Sequence, residues 1–206
     1  MIFAFIDYWK YRKRKGRYSH QALTNQGLNL ATLDNFRNYK SYPLGHILFV
    51  STTDSSLSWA IMYCTNSTLS HTAIFYGNGV LQDCTTSGVV RRSFDRYLDD
   101  KSYLKVIPPP GGTNFAHMRE IMNQSLGARY NWLGAFRMLL NIIIGNYPGF
   151  SWRIYSDLLM MLLIASHIFS LAAPQSKSFL YWAAGSYPAI VLFNKIFRKK
   201  VLRPRP

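Results

Sequence analysis

The sequence predicts an α+β fold in which an antiparallel sheet packs against helices, and three observations support this class. β-Branched and aromatic runs typical of strands are concentrated between residues 46 and 107. The Pro-Pro-Pro-Gly-Gly run at 108–112 ends the last of these strands. Apolar stretches long enough for helices follow from residue 115 onwards. Separate runs of strands and helices are typical of the α+β class.

Composition bounds the class of protein. The chain has 206 residues, enough for one domain with a full core. Its hydrophobic content of 49% and charged content of 16% exclude a disordered chain. The net charge of +15 and the aromatic content of 16% are typical of a protein that binds an anionic membrane surface. The positive charge is the only feature that favours nucleic acid as a partner. The sequence carries no zinc-ligand spacing or helix-turn-helix signature, so we do not expect nucleic-acid binding.

The N-terminal segment, residues 1–40, combines apolar, aromatic and basic residues. An apolar start is followed by a basic cluster consisting of Lys10, Arg12, Lys13, Arg14, Lys15 and Arg17. This pattern is typical of a short amphipathic helix on an anionic bilayer, and a frayed basic terminus explains it equally well. A secretory signal has its charges before its apolar run, so we expect no signal peptide. Residues 19–40 are polar with weak helical character.

The region between residues 40 and 112 contains the predicted strands. Pro43 and Gly45 set a turn before the first of them, and Gly77-Asn78-Gly79 supplies the positive φ angles that a hairpin needs. In chain order, the predicted elements are a strand at 46–52, a helix at 55–64, strands at 72–76, 80–82 and 88–92, a helical turn at 94–98 and a strand at 103–107. The two cysteines, Cys64 and Cys84, are expected to be buried free thiols, with a single disulfide as the alternative.

Helices are predicted after the proline stop. Thr113 or Asn114 can cap the first helix, and Gly127 ends it. The predicted helices are 115–126, 132–144 and 155–173, followed by apolar segments at 179–184 and 189–197, with a turn at 185–188 between them, and a basic end at 198–200. The apolar run at 158–173 has 16 residues, fewer than the ~20 that a bilayer span requires. It favours a buried core helix over a span, with partial insertion at a membrane interface between the two.

His71 and Asp83 lie at the ends of the two hairpin strands that are remote from the turn. Pairing of the strands is expected to bring the two side chains next to each other. An imidazole beside a carboxylate can have its tautomer fixed and its basicity raised, which a general base requires. The alternative interpretation is a surface histidine and a surface aspartate on an ordinary hairpin.

Four segments, in this order, match the pattern of a known superfamily. They are Tyr42-Pro43-Leu44-Gly45-His46-Ile47-Leu48-Phe49, Ser70-His71-Thr72-Ala73-Ile74-Phe75-Tyr76-Gly77-Asn78-Gly79, Val80-Leu81-Gln82-Asp83-Cys84 with Gly88-Val89, and Leu126-Gly127-Ala128-Arg129-Tyr130-Asn131-Trp132-Leu133-Gly134. Together they resemble the permuted papain-like proteins of the NlpC superfamily, which include bacterial hydrolases and the lecithin:retinol acyltransferase group.

The resemblance implies a circularly permuted papain-like fold, with a catalytic domain at 41–173 and an apolar-then-basic extension at 174–206. It implies that His71 is the catalytic histidine and that Asp83, where many members carry Glu or His, orients it. Tyr155-Ser156-Asp157-Leu158-Leu159 falls where the superfamily has its Cys-Ser-Glu-Leu-type nucleophile motif, and we assign the nucleophile position to Ser156. The implied reaction is acyl transfer without a metal or organic cofactor: residue 156 attacks a carbonyl, and His71 takes and returns the proton.

Serine at the nucleophile position leaves three explanations open. They are an introduced Cys-to-Ser change that disables the enzyme, a native serine nucleophile, and a non-catalytic relative. His71 and Asp83 are present at the other catalytic positions that the resemblance implies, and this favours the first explanation, an introduced change. A thiolate forms easily beside an imidazole, whereas a serine hydroxyl is far less acidic and needs a well-placed base and an oxyanion hole.

The resemblance leaves the substrate open between membrane lipid and cell-wall peptide. The net charge and the apolar C-terminal segments favour lipid, and therefore a phospholipase or acyltransferase. Peptidoglycan hydrolysis is the enzymatic alternative. We expect Tyr155, Trp132 and Arg91 to contact the substrate. We expect synthesis in the cytoplasm and peripheral membrane association, and a bacterial toxin or effector with specialised export and an inhibitory, immunity-type partner is consistent with these features.

Overall fold

The computed structural model describes residues 2–14, 16–143, 155–164 and 185–189. The α-helices are α1 (Ile2–Arg14), α2 (His20–Thr24), α3 (Ser56–Thr65), α4 (Phe115–Ser125), α5 (Trp132–Ile143) and α6 (155–164). The strands are β1 (Asn29–Leu30), β2 (Ile47–Ser51), β3 (His71–Gly77), β4 (Val80–Thr85), β5 (Gly88–Ser93) and β6 (Tyr103–Ile107). Short 3₁₀ helices span Tyr39–Ser41 and Phe94–Tyr97.

The chain divides into two compact units. The first unit contains the described residues within 1–9, 63–67 and 132–206, and the second contains those within 10–62 and 68–131. The predicted continuation of α6 to residue 173 lies outside the described residues, as do the tail segments at 179–184 and 190–197. Residues 185–189 are helical where a turn is predicted. The domain boundaries expected near residues 40 and 173 stay predictions.

All six strands lie in one antiparallel sheet in the second unit. Their order is β1-β6-β2-β3-β4-β5, so the strands from β2 to β5 are neighbours in chain order and β6 returns to pair with the other side of β2. One antiparallel sheet combined with helices makes the fold α+β, as the sequence predicts.

The β3–β4 hairpin follows from its turn residues. Asn78 and Gly79 both have positive φ angles, 51° and 71°, which is the geometry that a two-residue hairpin loop of the I′ type needs. A Cβ at Gly79 would lie 2.8 Å from the Tyr39 ring, so glycine is also required sterically. Gly77 pairs with Val80, but Phe75 pairs with Leu81, so β3 has one extra residue between them, and this shift sets Ala73 opposite Asp83. His71, two residues before Ala73, is then a diagonal neighbour of Asp83 on the same face of the sheet.

The core lies against the face of the sheet that carries Asp83. It contains buried side chains of the four central strands together with aromatic and small residues from the connections, namely Leu48, Val50, Ala73, Phe75, Leu81, Leu104, Ala31, Phe36, Tyr39 and Phe94. The ring of Phe94 packs on the rings of Phe36, Tyr39 and Phe75, with centroids 5.1–5.6 Å apart. This aromatic cluster fixes the 3₁₀ helix that starts at Phe94 beside β4.

Helix α4 is held to the opposite face of the sheet. Asn114 caps it by accepting a hydrogen bond from the His117 amide, as one of the two predicted caps. The buried Gln82 amide donates to the Met122 carbonyl oxygen at 2.8 Å and to the Ser125 hydroxyl at 2.9 Å. Residues of β4 therefore alternate between the core on one face and α4 on the other.

Three local expectations need correction. The two-residue strand β1 was not predicted, because it is defined by its pairing with β6 and its own two residues carry no strand pattern. Cys84 is exposed and Cys64 is only half-buried in α3, so neither is the buried thiol that the sequence predicts, and the two form no disulfide, which contradicts the disulfide alternative. Helix α1 is formed, so the frayed terminus is also wrong.

Helix α1 exposes its apolar side chains. Phe3, Phe5, Ile6 and Trp9 point outward along its first half, and Lys10 and Arg12 to Arg14 continue that exposed surface. The inward residue Tyr11 is fully buried, and its hydroxyl donates to the Ser55 carbonyl oxygen at 3.0 Å. The apolar and basic residues are thus separated along the helix axis and not around it. None of the helices within the described ranges is both long and apolar enough to cross a membrane.

Candidate active site

The hairpin brings His71 and Asp83 into direct contact. His71 Nε2 lies 2.6 Å from Asp83 Oδ1. The Asp83 side chain is only 2% exposed, whereas that of His71 is 32% exposed and open on one side. The expectation that the two hairpin ends meet is confirmed in this geometry, and the alternative of two unrelated surface residues is wrong.

Asp83 is held as a carboxylate. Burial by itself raises its pKa, but hydrogen bonds from His71 and Tyr97 and the charge of Arg92 outweigh burial, so that the pKa lies below its ordinary value. An ionised carboxylate can only accept hydrogen bonds, so the imidazole must donate through Nε2. Nδ1 then carries the lone pair, and His71 is fixed in the tautomer in which Nδ1 can take a proton.

Two further residues complete the surroundings of Asp83. The Tyr97 hydroxyl donates to Asp83 Oδ2 at 2.8 Å, and Arg92 Nε lies 3.4 Å from the same oxygen. The Tyr97 ring is nearly parallel to the His71 ring, at 11° with centroids 6.3 Å apart. Burial and the neighbouring Asp83 carboxylate raise the Tyr97 pKa, so its hydroxyl stays a donor. His71 therefore holds Oδ1 of the Asp83 carboxylate, and Tyr97 holds Oδ2.

Sequence reasoning missed both of these residues. Strand alternation could have found Arg92, because Val90 pairs with Asp83 and Arg92 is the next residue of β5 on that face. Tyr97 belongs to the 3₁₀ helix that follows β5, and its direction depends on the packing of Phe94 in the core. No local pattern in the sequence indicates that contact.

We expect Asp83 to contribute to stability in a pH-dependent way. Its folded pKa is lowered, so the contribution is fully present above the unfolded pKa of about 3.9 and is lost as the pH falls through the folded pKa. Urea unfolding at a series of pH values between 2 and 6 measures this. Asp83→Asn should lose less stability than the parent chain over that range. Equal losses in the two proteins would show that Asp83 is not held as described.

Arg91 lies on the other face of the sheet. It pairs with Gln82, one residue away from Asp83, and alternation sends its side chain towards α4. Its guanidinium lies 3.7 Å from the centroid of the Tyr76 ring, and its Nη2 donates to Asn123 Oδ1. Arg91 was predicted to contact substrate, and the structure gives it a cation–π contact and an amide partner beside α4.

The other three predicted site residues belong to the first unit. Trp132 is the exposed first residue of α5. Tyr155 stacks on the buried ring of Tyr187, with centroids 5.6 Å apart and an angle of 10°. Ser156 is half-buried on α6. Because Ser156 is in the first unit and His71 in the second, their meeting stays a prediction.

Asp157, next to Ser156, has a structural role that the sequence did not reveal. Its carboxylate is 5% exposed and accepts hydrogen bonds from the Phe3 amide at 3.1 Å, the Ala4 amide at 2.7 Å and the Tyr63 hydroxyl at 2.6 Å. Burial raises the pKa of Asp157, but its hydrogen-bond contacts, these three among them, outweigh burial, so that the pKa lies below its ordinary value. The carboxylate thus caps the positive end of α1.

The described ranges contain no cluster of three or more His, Cys, Asp or Glu side chains that could hold a metal ion. His46 stacks on Tyr42 and has a buried Nδ1 without a hydrogen-bond partner, and His117 is exposed on α4.

Neither a scan against protein-family models nor a search of curated proteins finds a match for this chain.

Proposed function

We propose that the protein is a permuted papain-like acyl-transfer enzyme that acts on membrane lipid. The observation that carries the proposal is the contact of His71 Nε2 with the buried Asp83 carboxylate at 2.6 Å. This contact leaves Nδ1 as the basic atom on a half-exposed imidazole. A histidine held in this way is suited to remove a proton from a nucleophile and to return it to a leaving group.

The proposed reaction begins at residue 156. His71 Nδ1 takes the Ser156 hydroxyl proton as Oγ bonds to the acyl carbon of the lipid. The ester C–O bond then breaks, and the imidazolium gives its proton to the departing alcohol. In the second half, water loses a proton to His71 and attacks the acyl-enzyme, and Ser156 recovers its proton. Asp83 stays ionised throughout and stabilises the imidazolium.

Surface chemistry supports lipid as the substrate. Large apolar side chains are exposed on α1 and on α5, where Phe5 is 71% and Leu133 is 79% exposed. Trp132, Phe136 and Met138 belong to the same exposed set. Exposed aromatic residues together with a net charge of +15 are typical of proteins that bind anionic bilayers.

A second candidate function is that of a non-catalytic membrane-binding relative. It is favoured by an alternative alignment of residues 155–158 with the nucleophile motif of the superfamily. Ser156, Asp157 and Leu158 also match the Ser-Glu-Leu part of the Cys-Ser-Glu-Leu pattern directly. In that alignment Tyr155 takes the place of the cysteine. Tyr155 stacks on Tyr187, whose pKa is raised to about 12, mainly by burial, and a tyrosine at that position supplies no thiol nucleophile.

Cysteine substitution distinguishes these candidates. We expect the parent chain or Ser156→Cys to release fatty acid from phosphatidylglycerol vesicles, and Ser156→Ala to release none. Tyr155→Cys is the matched variant for the alignment in which Tyr155 takes the place of the cysteine. Fatty acid release and, in parallel, cleavage of purified muropeptides are measured by mass spectrometry. Muropeptide cleavage without fatty acid release would contradict the lipid substrate, and inactivity of the parent and both cysteine variants on both substrates would support the non-catalytic relative.

A further inference from the structure

An arginine-lined cleft lies along the outer edge of the sheet in the second unit. Its volume is about 460 Å³, and it is lined by Val90, Arg91, Arg92, Ser93 and Arg96. β5 is the last strand of the sheet, so side chains from both of its faces reach this edge. The lining contains three guanidinium groups and no carboxylate.

The arginines are held in different ways. Arg92 is 29% exposed and is held by Asp83, with its Nε 3.4 Å from Oδ2. Arg91 is held against Tyr76 and Asn123. Arg96 is exposed and makes no ion pair or hydrogen bond with the described part of the chain. Two arginines are therefore oriented in advance, and the third retains its full hydrogen-bonding capacity.

The carboxylates near these arginines are already engaged. Asp83 accepts from His71 and Tyr97 as well as contacting Arg92. Asp95 accepts from the Ser93 hydroxyl at 2.6 Å and is further held by Tyr39, and these contacts lower its pKa. Asp83 therefore offsets part of the charge of Arg92, but no carboxylate belongs to the lining itself, which stays positive.

A second cleft in the same unit shows the contrast. It has a volume of about 540 Å³, and its lining combines Arg12, Arg14 and Lys101 with Asp54 and Asp100. Arg12 pairs with Asp54 at 3.4 Å. Its charges are largely balanced within the lining, whereas those of the β5 cleft are not. An external anion is expected to prefer the β5 cleft.

We propose that this cleft binds a phosphate group, with Arg92 and Arg96 as its main ligands. Guanidinium groups donate paired hydrogen bonds that match phosphate oxygens. Arg92 also contacts Asp83, so a phosphate bound here lies beside the His71–Asp83 pair. Resting on the proposed acyl-transfer function, this places the phosphate of a glycerophospholipid next to the base that acts on its ester.

Binding is tested on full-length Ser156→Ala protein, so that the result does not depend on turnover. Inorganic phosphate and sn-glycerol 3-phosphate are titrated by NMR at 150 mM NaCl, a salt concentration that screens long-range attraction. Vesicles of phosphatidylglycerol and of phosphatidylcholine are compared by sedimentation, which separates a lipid headgroup from a free phosphate. Arg96→Gln, Arg92→Lys and the control Arg37→Gln, which removes one exposed charge outside the cleft, are measured in the same way.

We expect Arg96→Gln to weaken phosphate ester binding about tenfold, Arg92→Lys to weaken it similarly, and Arg37→Gln to leave it unchanged. Failure of both soluble phosphates and both vesicle types to bind, or an equal loss in all three variants, would overturn the proposal. Phosphate binding by a protein whose parent chain and both cysteine variants release no fatty acid would leave the cleft standing and reject the acyl-transfer function. Fatty acid release by a protein that binds neither soluble phosphate would do the reverse.

Discussion

Replacing His71 by alanine is expected to reduce acyl transfer by about 10⁴-fold, because the proposed reaction has no other base at this position. Asp83→Asn should also reduce kcat strongly, since an amide can donate to Nε2 and so favour the tautomer that has its proton on Nδ1. Tyr97→Phe, which removes one hydrogen bond to Asp83 and leaves the carboxylate in place, should have a smaller effect.

The control for this series is His117→Ala. His117 is exposed on α4 and lies 3.7 Å from Glu120, away from the hairpin contact. Rates are measured on phosphatidylglycerol vesicles between pH 5 and 9, and protein folding is checked by circular dichroism. Each variant is made in the form that releases fatty acid, the parent chain or Ser156→Cys, and equal activity of that form with and without His71→Ala would remove His71 from the mechanism. Loss of activity in His117→Ala to the same extent would show that the assay reports general damage and not base catalysis.

Asp157→Ala is expected to destabilise the protein by about 3 kcal/mol, because it removes a buried carboxylate that accepts hydrogen bonds from the Phe3 and Ala4 amides and the Tyr63 hydroxyl. The Phe3 and Ala4 amides at the start of α1 would lose their acceptor, and so would the Tyr63 hydroxyl. Tyr63→Phe removes only one donor and should cost about 1 kcal/mol. The matched control is Asp34→Ala, which removes a carboxylate that is 80% exposed.

Urea unfolding followed by tryptophan fluorescence measures these changes in the free energy of unfolding. Hydrogen exchange at the Phe3 and Ala4 amides gives a local measurement, and exchange there should accelerate in Asp157→Ala. If Asp157→Ala and Asp34→Ala unfolded at the same urea concentration, the assignment of Asp157 as the cap of α1 would fail.

The parts of the site that could be predicted are those encoded over a short distance. Asn78-Gly79 closes the hairpin, and a register shift between Phe75 and Gly77 then sets Ala73 opposite Asp83, which makes His71 and Asp83 diagonal neighbours. The order of β3, β4 and β5 follows from their two-residue connections in the same way. The turn chemistry and strand alternation on which these inferences depend are properties of a few consecutive residues.

The parts that could not be predicted depend on distant contacts. β1 exists because Asn29 and Leu30 pair with β6, which lies more than 70 residues further along the chain. The role of Asp157 depends on an amide 154 residues away. In sequence, Asp157 is simply an acidic residue beside Ser156, and its carboxylate could equally have faced solvent. Neither contact leaves a pattern in the residues that surround it.

The location of the arginines on β5 has a further consequence for self-association. Val89 exchanges backbone hydrogen bonds with Gly127 and Ala128 at the outer edge of β5, and the rest of that edge can pair with the same strand of a second molecule and start an aggregate. Antiparallel self-pairing of β5 would bring Arg91 and Arg92 of one copy close to those of the other, and like charges facing each other oppose such contact. Removing both charges at once would therefore risk precipitation, and variants of this strand are best made one arginine at a time.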